Sequence, residues 1–113
     1  MDCLFCKIID KTTKSDIIHD DEECIAFNDI DPQAPVHFLV VPKKHILTIL
    51  DISEEEEKLI GHMVAVANKI CKDKKIDLRG FRLVFNCNPE SGQVIYHIHL
   101  HVLGGRKMNW PPG

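Results

Sequence analysis

Between Tyr96 and Leu103 three of the chain's seven histidines, His97, His99 and His101, alternate strictly with Ile98, Leu100 and Val102. A period of two over eight residues rich in β-branched and aromatic side chains predicts a strand spanning Tyr96 to Leu103. Successive strand side chains point to opposite faces, so the three imidazoles share one face and the aliphatic residues are packed behind them. A lone histidine there would be an ordinary surface residue. Three in register place on one face a row of ring nitrogens that titrate near neutrality.

The 113 residues predict one domain, residues 1–113, long enough for a real core. A net charge of −3 argues against a nucleic-acid backbone as partner, since phosphate neutralisation needs a basic face. No apolar run approaches the ~20 residues needed to cross a bilayer. The start, Met1-Asp2-Cys3-Leu4-Phe5-Cys6-Lys7, has an acid where a secretory leader would be basic, so the expected address is the cytoplasm or nucleus. Five cysteines in that setting read as reduced thiols: Cys24 and Cys71 as small core residues, Cys87 at a strand end, and Cys3 with Cys6 as a C-x-x-C pair.

Along the chain, a short amphipathic helix is predicted over about residues 3–9. A hairpin of Ile17-Ile18-His19 with Cys24–Asn28 follows. Asp31-Pro32-Gln33-Ala34-Pro35 is a loop because neither proline can donate to a ladder. Val36–Val41 is a mostly apolar central strand stopped by Pro42. Ser53, with Glu56 three residues on, opens the long helix as a capping box, and four consecutive acids suit its positive end. Ile60, Met63, Val64, Ala67, Ile70 and Cys71 give that helix its buried stripe. Phe81–Asn86 is a strand, and Asn88–Gln93 the loop before the histidines. The expectation is an α+β fold: a five-stranded, mainly antiparallel sheet, one long and one short helix, and the helices covering one face.

As a site for one metal ion the triad is awkward, because His97 and His101 sit about 13 Å apart on a strand rising ~3.3 Å per residue, with no carboxylate between them. Imidazole catalysis fits better, since the neutral ring is a nucleophile toward phosphorus and its neighbours can move protons. His37, on another strand, can face the same site. Ser91-Gly92-Gln93 offers backbone N–H groups and an amide to an anion, and Asp29 offers a carboxylate suited to ribose hydroxyls or, as plainly, to capping its loop.

His97–Leu103 resembles the His-φ-His-φ-His-φ-φ signature of the histidine triad superfamily. Asp29–His45 and His101–Gly113 are similar to its branch of nucleotide-binding proteins. The resemblance spans nearly the whole chain. It implies a homodimer whose two sheets join, and hydrolysis of purine nucleoside 5′-phosphoramidates, releasing AMP or GMP and an amine, with no cofactor required for catalysis. By position, His99 matches the nucleophile that forms a nucleotidyl-histidine intermediate. His101 and His37 match the histidines that contact phosphate and protonate the amine, and His97 matches the member supporting the ring network. Leu4, Phe5, Ile8, Phe27, Asn28 and Ile30 match the purine pocket, with Asp29 on the ribose. Asn86, Gly92 and Gln93 match phosphate and leaving-group contacts, and Trp110 matches the tail residue presented to the partner's site.

Two positions depart from that pattern. Val94 stands where a serine is usual, which implies an altered leaving-group preference or a slower rate. Cys3 and Cys6, with His45 and His97, match a zinc set found in some members; the alternative is a pair of reduced thiols. Other readings left by the resemblance are a nucleotidyl transferase or dinucleotide hydrolase, and a nucleotide-binding regulatory module in which turnover is incidental.

Overall fold

A computed structural model describes residues 3–113. Met1 and Asp2, on which the leader argument partly rests, lie outside the described residues. The elements in chain order are α1 (Leu4–Ile9), β1 (Ile17–Asp20), β2 (Cys24–Asn28), β3 (Val36–Pro42), α2 (Glu57–Asp73), β4 (Phe81–Phe85) and β5 (Leu100–Gly104), with three short 3-10 turns between them. The five strands form one sheet in the order β1-β2-β3-β5-β4, every neighbouring pair antiparallel. The expected hairpin is present, with a register shift between Ile17 and His19.

The helices do not share a face. Cys24 and Ala26 of β2, Phe38 and Val40 of β3, and Leu100 and Val102 of β5 pack in one core with Met63, Val66, Ala67, Ile70 and Cys71 of α2. The residues between them, Ile25, Phe27, Leu39 and Val41, form a second core with Cys3, Phe5 and Ile8 at α1. The cause is visible in β2 and β3, which are apolar at consecutive positions and so need cover on both sides. The expectation of helices on one face is corrected accordingly. Burial holds the Cys24 thiol up at about 12 and the Cys71 thiol at about 11, so both behave as inert core groups.

At the start of α2 the Ser53 backbone N–H and hydroxyl both donate to Glu56 Oε1, at 2.8 and 3.0 Å, while Lys44 Nζ lies 3.0 Å from Glu56 Oε2. These bonds close a 3-10 turn, Glu54–Glu56, before the α-helix itself begins at Glu57.

The histidine strand is shorter than its alternation predicts. It begins at Leu100, not Tyr96. In the β3–β5 register Val40 faces Leu100, so a longer ladder would set Pro42 opposite Ile98. Pro42 has no N–H to give. The Ile98 N–H bonds instead to Ile46 O at 2.8 Å. The two-residue alternation persists through this irregular segment, since Ile98 joins the α2 core while His99 packs against Phe5.

After β5, Gly105 holds φ +88°, and a Cβ there would meet Pro35 Cβ at 2.9 Å. Gly105→Ala is expected to cost roughly 1–3 kcal/mol, from a disfavoured backbone conformation plus contact with a rigid ring. A denaturant midpoint unchanged from the parent would contradict this.

Candidate active site

The triad divides into two clusters. Its first member, His97, is fully buried, and its ring nitrogens find their partners apart from the other two rings. His97 Nε2–H donates to Pro42 O at 2.8 Å, leaving the Nδ1 lone pair free. That lone pair lies 3.4 Å from Cys3 Sγ, 3.6 Å from Cys6 Sγ and 3.0 Å from His45 Nδ1, and Cys6 Sγ lies 3.4 Å from His45 Nδ1. All four atoms fall within 4.8 Å of one another. Around a tetrahedral zinc with Zn–S of ~2.3 Å and Zn–N of ~2.0 Å, neighbouring donors stand about 3.3–3.8 Å apart, so the set fits that ion closely. The Pro42 carbonyl fixes the tautomer a ligating imidazole needs. Burial, with the Cys3 sulfur beside it, pushes the Cys6 thiol up from its ordinary range; a bound cation would reverse that trend.

The second cluster begins with the main chain of His97. Its carbonyl accepts the His99 Nδ1–H at 2.8 Å, so the His99 proton sits on Nδ1 and its Nε2 lone pair is exposed to chemistry. The Phe5 ring packs edge-on against His99 at 5.0 Å between centroids. Beyond it, a hydrogen-bond chain of one polarity runs through two further rings. Gln33 N–H donates to His37 Nδ1 at 3.0 Å, which places the His37 proton on Nε2. His37 Nε2–H then reaches His101 Nδ1 at 3.0 Å, with Asp29 Oδ2 at 3.4 Å. His101 is left with its N–H on Nε2. Burial lowers the pKa of His37, His97 and His99. Burial, reinforced by the neighbouring His99 and His37, brings His101 down to about 4, so its ring is neutral near pH 7.

These groups open on a cavity of about 440 Å³ lined by Leu4, Phe5, Ile8, Phe27, Asn28, Asp29, Ile30, Asn86, Gly92, Val94, His99 and His101, all of them expected from the sequence. Thr13, Lys14, Ser15, Leu39 and Ile95 also line it and were not expected. Leu39 could have been found from its register, since it pairs directly with His101; the Lys11–Ser15 turn carries no local signal beyond polarity.

Four expected residues are placed elsewhere. Gln93 is buried with its amide consumed within the protein: it accepts from Asn88 N at 2.8 Å and donates to Leu47 O and Ile95 O at 3.0 and 3.1 Å. It braces the loop and offers no donor to the cavity. The His97 ring is likewise outside the cavity and serves it through a carbonyl. His37 stands behind His101. Trp110 is 81% exposed on the tail, its ring 6.0 Å from the Arg82 guanidinium and outside the cavity of its own chain.

The chain matches known proteins over nearly its whole length. The family described as "Scavenger mRNA decapping enzyme C-term binding" matches residues 2–110. The chain is 43% identical over 112 residues to an uncharacterized HIT-like protein of Synechococcus elongatus, covering 99% of this chain and 97% of that one. It superposes on a HIT family hydrolase from Legionella pneumophila with a TM-score of 0.97 at 46% identity, covering 99% of this chain and all of that one. A histidine triad protein from Clostridium difficile gives 0.93 at 44% identity, covering 96% and 95%.

Because the folded pKa of His101 lies below the ordinary ~6.5, the unfolded chain binds the extra proton first. Its contribution to stability is complete above pH 6.5 and is lost as pH falls from there toward 4. Melting temperature should therefore drop across that window less steeply in His101→Gln than in the parent. Parallel slopes would contradict the assignment.

Proposed function

The chain belongs to the histidine triad (HIT) family, and from its site we propose that it hydrolyses purine nucleoside 5′-phosphoramidates to a nucleoside monophosphate and an amine. The observation that supports this most is the fixed tautomer of His99, whose Nε2 lone pair faces a mostly apolar cavity with a neutral, N–H-bearing His101 beside it. In this reading the base lies among Leu4, Phe5, Ile8, Phe27 and Ile30, with Asp29 on the ribose. His99 Nε2 attacks phosphorus, forming an N–P bond as the P–N bond to the amine breaks. The amine takes the extra proton of a His101 imidazolium, formed with the substrate bound, and leaves that ring neutral. Water then displaces the nucleotide from His99 and returns a proton to that same side, so the ring acts first as acid and then as base. The negative charge of a bound phosphate works against the burial that keeps His101 neutral in the free protein, favouring proton delivery. The relatives that carry the names hydrolase and histidine triad protein favour turnover over mere occupancy.

The same reading gives Cys3, Cys6, His45 and His97 a structural zinc. It would hold α1, which supplies three residues to the cavity lining, against the segment that leads into β5, and it takes no part in the reaction. Metal analysis of tag-free protein should find stoichiometric zinc in the parent and little in Cys6→Ser. A metal-free parent would end that proposal.

The activity is tested with adenosine 5′-phosphoramidate. The parent should release AMP, and His99→Ala should lose at least ~10³-fold in kcat while still binding AMP. A parent that binds AMP without turnover would instead favour a nucleotide-binding regulatory module.

A further inference from the structure

Resting on the phosphoramidase reading, we infer that the amine released by this protein is apolar, and that its side chain occupies a second cavity across Val94 from the nucleotide pocket. That cavity, about 430 Å³, is lined by Leu4, Leu47, Val94, Ile95 and Tyr96, with Cys3 and His45 beside them. Leu4, Val94 and Ile95 line both cavities, so the two meet along one apolar wall. A phosphoramidate has two halves joined at phosphorus. The first cavity holds His99 and His101 and suits the nucleotide, and the second adjoins it along the shared wall, open to the other half.

The lining decides the chemistry of that half. No lysine, arginine, aspartate or glutamate borders the second cavity. Cys3 Sγ and the Nδ1 atom of His45 are each within 3.4 Å or less of the His97 Nδ1 and are directed into their own cluster. An amine bearing a carboxylate or a second ammonium would meet no opposite charge there, only the neutral polar atoms of Tyr96 and His45 among apolar side chains. An alkyl or aryl amine would instead cover side chains now left open: Val94 is 86% exposed, Leu47 52% and Leu4 46%. Val94 fits this account directly. A serine at that point would present a hydroxyl at the junction of the two cavities, whereas valine continues the apolar wall. Leu47 and Val94 are therefore specificity determinants for the leaving group.

The test compares three adenosine 5′-phosphoramidates, those of phenethylamine, ethanolamine and ammonia. The parent should favour the phenethylamine compound over the ethanolamine compound by at least about tenfold in kcat/KM, the scale a pocket for a few apolar groups supports. Leu47→Asp should abolish that ratio and Leu47→Ala should reduce it. The Leu47 contact that braces the loop is made by its carbonyl and survives either change. A parent ratio near one, or a ratio untouched by Leu47→Asp, while the ammonia compound is still cleaved, would overturn the second-cavity assignment and leave the phosphoramidase reading standing. Failure to cleave any of the three would overturn both.

Discussion

The hydrogen bond from His99 Nδ1–H to the carbonyl of His97 is the contact on which the site depends. It exists because the strand starts late. Were His97 within the ladder, its carbonyl would be engaged by a neighbouring strand. Pro42 ends the ladder by denying Ile98 a partner, and its own carbonyl takes the His97 Nε2–H. One residue thus serves two clusters, with its ring turned toward Cys3, Cys6 and His45 and its main chain fixing the tautomer of His99. Whatever holds the His97 ring also holds that carbonyl, so the cysteine–histidine cluster and the proposed nucleophile are mechanically joined through a single residue.

The sheet separates support from chemistry. Its α2 face is an uninterrupted apolar core, while its α1 face gives over part of its area to imidazoles. Placing neutral rings there costs little, because each has a partner: Pro42 O for His97, His97 O for His99, and Gln33 N–H for His37, which in turn bonds His101. Charged rings would cost far more in that setting, which is why burial lowers every one of these pKa values. Among the described residues no buried polar side-chain atom is left without a partner.

Much of this was legible in the residues themselves. The two-residue period identified the imidazole face, the Ser53/Glu56 pair located the start of the long helical segment, and the apolar runs Cys24–Phe27 and Phe38–Val41 marked the central strands. Reading those runs as demanding cover on both faces would have put α1 opposite α2. Three other features lay beyond local pattern. Pro42 truncates the histidine strand from 56 residues earlier than Ile98, through a register no single segment displays. The Gln93 amide turns inward because Asn88, Leu47 and Ile95 converge on it. The division of the triad follows from the same cause, since alternation gives a face but does not say which ring atom meets which partner.

The most direct test of the account is the tautomer of His99, read from the ¹⁵N shifts and long-range ¹H–¹⁵N couplings of its imidazole at neutral pH in protein labelled at histidine. The structure predicts a protonated Nδ1 and a bare Nε2, with the opposite tautomer, Nε2–H, at His97 and His101. A proton on His99 Nε2 would leave no lone pair facing the cavity and would contradict the central claim.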